Sequence, residues 1–121
     1  MPTGFQTKRA YDAPEPSDGY RVLVDRLWPR GVSKEHAEID EWAKDVTPSN
    51  ELRTWFHHDP GANFAEFTAR YEAELAGDAR QESLRALRKR AEHERVTLVT
   101  ATKDPEHSHV SVLLRSLRSG R

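Results

Sequence analysis

Along this chain, short apolar runs alternate with longer stretches in which apolar residues recur every three or four positions. The clearest short run is Val22-Leu23-Val24, inside the stretch Tyr20 to Gly31; its β-branched character and the preceding Gly19 predict a strand buried on both faces. Val96 to Thr102 predicts a second strand, because Thr97, Leu98, Val99 and Thr100 are β-formers with no breaker among them. Phe5 to Tyr11 alternates more loosely, carries Lys8 and Arg9, and predicts a third.

Helical spacing fills most of the rest. With Ser33 as N-cap, Ile39, Trp42, Ala43 and Val46 fall on one face of a helix that Thr47-Pro48 ends. Ser49 caps a short helix with Leu52, Trp55 and Phe56 on one side and Glu51 in its first turn, and His57-His58-Asp59-Pro60-Gly61 follows as a turn. Asn63 and Glu66 then resemble a capping box, opening a helix whose stripe of Phe64, Phe67, Tyr71 and Leu75 stops at Gly77. Asp78 to Glu94 predicts a further helix with Leu84, Leu87 and Ala91 inward and mostly basic residues outward. In the last, Asp104 is the expected cap, Pro105 the first helical residue, Val110, Leu113, Leu114 and Leu117 the apolar face, and Gly120 the stop.

Strands separated by helices give an α/β fold, expected here as a single domain over residues 1–121 with a partly parallel sheet of about three strands and four to five helices. The turn-rich loop from Ala13 to Gly19 is too short for a helical crossover, so the first strand is either antiparallel to the second or joined to it by an irregular connection. Right-handed crossovers would bring the carboxyl ends of the two apolar strands to one edge of the sheet.

Charge changes this picture modestly. The formal net charge is -1, yet residues 1–78 carry 9 Lys/Arg against 15 Asp/Glu and residues 79–121 carry 10 against 5. That asymmetry makes the basic C-terminal half an alternative binding surface for nucleic acid or a protein, although opposite halves of one domain also neutralise each other. The absence of cysteine removes disulfides, thiolate nucleophiles and thiolate metal sites. With no aliphatic run longer than three residues and no basic-then-apolar start, a soluble, cytoplasmic protein without membrane association is expected.

The candidate chemistry sits where the strands end. Asp25, Arg26 and Arg30 follow the central strand, with Trp28-Pro29 forcing an extended exit between them, and Lys103 and Asp104 follow the second. Cations and exposed backbone N–H groups there suit a small anionic ligand bearing phosphate or carboxylate. Lys8 and Arg9 join them if the first strand is parallel. Asp25 is a candidate acid, base or orienting group, and His58 or His107, each near a carboxylate, a candidate proton carrier. Trp28 is either core or a platform for a ligand ring. A metal centre drawing on His57, His58, His107 or His109 with Asp59 is a further alternative, though no spacing matches a known zinc pattern. No Walker loop, GxGxxG or nucleophile elbow occurs, and the cofactor is undefined.

Four stretches together resemble the YeaO-like family, small bacterial proteins classed as a domain of unknown function. They are V-D-R-L-W-P-R-G-V-S-K-E from Val24 to Glu35, P-S-x-E-L-R-x-W-F-x-H-D-P from Pro48 to Pro60, F-x-x-R-Y-x-x-E-L from Phe67 to Leu75, and K-D-x-E-H from Lys103 to His107. The resemblance brings no activity, so hydrolytic or transfer chemistry is left open. It marks Asp25, Arg26, Trp28, Pro29, Arg30, Ser49, Arg53, His58, Asp59, Lys103, Asp104 and His107 as signature positions, with Ser108 standing where related chains would carry asparagine.

Overall fold

The computed structural model describes residues 3–119, apart from the side chain of Pro60. Four parallel strands form one sheet: β1 (Gly4–Arg9), β2 (Tyr20–Leu23), β3 (Glu41–Trp42) and β4 (Arg95–Thr100), in the spatial order β1-β4-β2-β3. β4, buried at every position but its first, takes a central place, with Val96, Leu98 and Val99 fully buried. β1 pairs with it from Gly4↔Arg95 to Arg9↔Thr100, and β2 from Tyr20↔Val96 to Leu23↔Val99. All carboxyl ends therefore leave the sheet on the same side.

The direction of β1 is thus parallel, reached by an irregular connection. β4 lies between β1 and β2, so the loop steps over one strand position. Gly19 completes that turn at φ 64°, pressed so closely against the carbonyl of Arg95 that a Cβ would lie 2.3 Å from its oxygen.

Among the described residues, five α-helices accompany the sheet: α1 (Lys34–Ala37), α2 (Asn50–His58), α3 (Pro60–Leu75), α4 (Asp78–Ala91) and α5 (His109–Arg118). The main core joins one face of the sheet, Val22, Val24, Val96 and Leu98, to Phe56, Phe67, Tyr71, Leu84 and Leu113 from α2 to α5. The opposite face is covered by the turn at Pro16–Asp18 and by α1. Thr97 donates its hydroxyl to the carbonyl of Asp18, and Arg21 donates Nε to that of Ala37. Arg21 also pairs with the buried carboxylate of Asp18 at 2.6 Å, which Lys8 reaches at 3.2 Å.

Four sequence expectations are corrected. The helix expected after Ser33 ends at Ala37; Glu38 turns left-handed at φ 48°, and the chain then supplies the fourth strand. The edge of β2 captures it: Asp40 N–H donates to Arg21 O at 2.9 Å, and the Asp40 carboxylate accepts from Arg21 N–H at 2.9 Å. The helical spacing of Trp42, Ala43 and Val46 is instead spent on β3 and a 3-10 turn at Lys44–Val46. His57 and His58 close α2 rather than forming a turn, and α3 begins at Pro60 because Asp59, not Asn63, caps it by accepting from Ala62 N–H at 3.3 Å. Asp104 makes no capping bond from its side chain; it precedes a 3-10 turn at Pro105–His107, and Ser108 caps α5 through Val110 N–H at 3.1 Å. The stop expected at Gly120 lies outside the described residues; the helix ends at Arg118.

Candidate functional site

Beyond Leu23, β2 stays bonded to β4 for one more residue, with Val24 N–H donating to Val99 O at 3.0 Å. The next residue, Asp25, ties the two strand ends together. One carboxylate oxygen accepts the Thr100 hydroxyl at 2.7 Å and the other accepts Ala101 N–H at 2.7 Å. His109, on the first turn of α5, places Nε2 2.9 Å from the carbonyl of Val24 and 3.2 Å from the same Asp25 carboxylate. Burial alone would raise the Asp25 pKa, but the hydrogen bonds from His109, Ala101 and Thr100 and the charge of His109 outweigh it and hold the carboxyl below the usual carboxylate range. His109 Nε2 therefore faces two acceptors, the Val24 carbonyl and the Asp25 carboxylate.

Around this junction opens a cleft of about 900 Å³. Arg26 and Arg30 reach it from the β2 exit, Lys103 from the β4 exit, and Arg53 from α2. Among the described residues, none of these four cations has a carboxylate within salt-bridge distance. Among the described residues, Arg26 has only a long contact of 3.4 Å to the Thr47 hydroxyl, and the buried Nε of Arg53 has no hydrogen-bond partner. The floor is aromatic: Phe56 and Phe67 stack with centroids 4.1 Å apart, and Phe64 flanks both.

The other expected residues divide. Trp28 lines the cleft with its indole N–H held by Val32 O at 2.6 Å and its ring edge-on to Trp42 at 5.4 Å, so it belongs to neither the main core nor open solvent. Asp104 and His107 line the cleft as an exposed pair at 2.9 Å. Ser49 does not line it; its hydroxyl donates to Glu74 at 2.6 Å and accepts from Leu52 N–H at 3.2 Å as the cap of α2. His58 is exposed outside the cleft, and Asp59 is occupied as a cap. Arg9 fixes the β4 exit by donating to the carbonyls of Thr102 and Ala101, whereas Lys8 turns to Glu15 and Asp18. No group of three His, Asp or Glu side chains among the described residues converges as metal ligands.

The sequence offers His109 only as a metal ligand, yet it is the histidine bound to Asp25. The pairing joins residues far apart in the chain, and no local spacing announces it. The stripe Phe64, Phe67, Tyr71 and Leu75 packs in or against the main core, and Phe64 and Phe67 at its start also line the cleft.

Fold and site together define a parallel α/β protein with a cation-lined, aromatic-floored cleft at its strand ends. A family profile described as the inactive DUF488-N3 subclade matches residues 4–120, and the chain belongs to that family. Uncharacterized protein YeaO of Escherichia coli K12 is 47% identical over 115 residues, covering 95% of this chain and 97% of the relative. Uncharacterized protein Rv3073c of Mycobacterium tuberculosis H37Rv is 45% identical over 115 residues, covering 95% and 94%. The resemblance to YeaO-like proteins thus holds across nearly the whole chain. No solved structure matches it.

Proposed function

We propose that the cleft binds a small anionic ligand and that the protein acts by binding it, without turning it over. The observation that carries this reading is the set of four cations, Arg26, Arg30, Arg53 and Lys103, lining one cleft without a carboxylate partner among the described residues. Like charges gathered in this way repel one another, and an arriving phosphate or carboxylate relieves that repulsion while accepting bidentate guanidinium hydrogen bonds. The description of the family as an inactive subclade supports binding without chemistry. In this reading Asp25 and His109 hold the strand ends in place.

The nucleic-acid alternative has weaker support, because much of the basic C-terminal half is engaged internally. Arg88 donates to Ser116 and Leu117 carbonyls, Arg80 to those of Asp45 and Thr47, and Arg118 to that of Phe5, while Arg90 pairs with Glu94. Thermal unfolding of wild type, Arg26→Ala and Lys103→Ala with inorganic phosphate or citrate at constant ionic strength tests the proposal. Wild type is expected to gain several degrees and the variants less than half of that; equal gains in all three would refute it.

A further inference from the structure

We infer that the anion taken by this cleft carries a flat aromatic body, as a nucleoside monophosphate does; the inference rests on the anion-binding reading above. The cations account for only part of the wall. An inorganic ion would leave most of about 900 Å³ unfilled, a volume in the range of sites for cofactor-sized molecules.

What surrounds that unfilled space is apolar and ring-rich. Phe56, Phe64 and Phe67 form the floor, Trp28 presents an indole whose orientation is already fixed by its bond to Val32 O, and His107 stands edge-on to Phe64 at 6.0 Å. Among the described residues, Leu27 and Tyr11 are the large hydrophobic side chains left most exposed, at 62% and 51%, and both line this same cleft. A site for a bare ion has no use for them. A ligand with a planar ring covers them, stacks on the partly exposed rings of Trp28 and Phe64 above the buried Phe56 and Phe67, and leaves its charged end to the guanidiniums.

Isothermal titration of the full chain at one ionic strength provides the test, with adenosine monophosphate, uridine monophosphate, ribose 5-phosphate, hexyl phosphate and adenosine as probes. At least one mononucleotide is expected to bind about tenfold more tightly than either ribose 5-phosphate or hexyl phosphate, the gain that ring stacking brings. Leu27→Ser, a change at an exposed position, is expected to weaken that nucleotide about threefold and to leave ribose 5-phosphate unchanged. If ribose 5-phosphate or hexyl phosphate binds as tightly as both mononucleotides, the aromatic body is refuted while anion binding stands. If no phosphate binds, or adenosine binds as well as its monophosphate, the anion-binding reading itself falls.

Discussion

Replacing Asp25 removes the tie between the two strand ends without touching the main hydrophobic core. Its carboxylate, 15% exposed, receives the Thr100 hydroxyl, the Ala101 N–H and His109 Nε2. In Asp25→Ala all three donors lose this acceptor. Orphaning a buried donor costs about 1–3 kcal/mol, but His109 keeps the carbonyl of Val24 and water can enter at the exposed edge, so the net loss is expected at about 3–4 kcal/mol. Asp25→Asn keeps the shape and one acceptor oxygen, enough for Ala101 N–H, and Thr100 can reverse its hydroxyl toward the new amide; its loss is expected at roughly half that of alanine. Urea unfolding with an unchanged slope reads both values as midpoint shifts. The pH dependence provides a second readout. Because the folded pKa lies below the unfolded one, the stabilisation is complete above the unfolded value near ~4 and disappears as pH falls through the folded value. The gap between wild type and Asp25→Asn should therefore narrow in acid. Asp25→Ala within about 1 kcal/mol of wild type, or a gap that does not change with pH, would refute the reasoning.

Other perturbations probe the frame that positions the cleft. Gly19→Ala places a Cβ against the Arg95 carbonyl in a left-handed turn and is expected to cost at least about 2 kcal/mol, measured by chemical unfolding. Tyr71 is fully buried and donates its hydroxyl to the Val46 carbonyl, so Tyr71→Phe, which leaves that oxygen unpaired, is expected to cost about 1–2 kcal/mol in the same assay. Burial, with the nearby charges of Arg53 and His109, lowers the His57 pKa; the unfolded chain then takes up the proton first, and stability contributed by this position is lost as pH falls through ~6.5 and below. His57→Gln should remove that component from the pH profile of the melting temperature.

The parts of the molecule legible in its sequence are those set by local apolar runs. β2 and β4 showed themselves as Val22–Val24 and Val96–Thr102, the second overrunning the observed end at Thr100 by two residues, and their shared edge followed from the α/β alternation alone. That placement is why Asp25, Arg26, Arg30 and Lys103 could be grouped in advance. Elements decided by distant partners were not legible. The 33–46 segment has helical spacing, yet Arg21 and Asp40 exchange backbone and carboxylate bonds that pull it onto the sheet edge. β1 took its direction from β4, some ninety residues away, and the cap roles of Asp59 and Ser108 depended on where the neighbouring helix began. His107 beside Asp104 looked like the oriented imidazole because both lie in one short motif. Their pair is exposed, and the part-buried pair is His109 with Asp25.

The most direct test of the cleft as an anion site is a phosphate titration followed by backbone amide chemical shifts at constant ionic strength. The account predicts the largest saturable changes at residues 25–30, at Arg53 and from Ala101 to His109. Changes centred on the opposite face of the sheet, around Lys8, Asp18 and Arg21, or spread evenly along the basic face of α4, would contradict it.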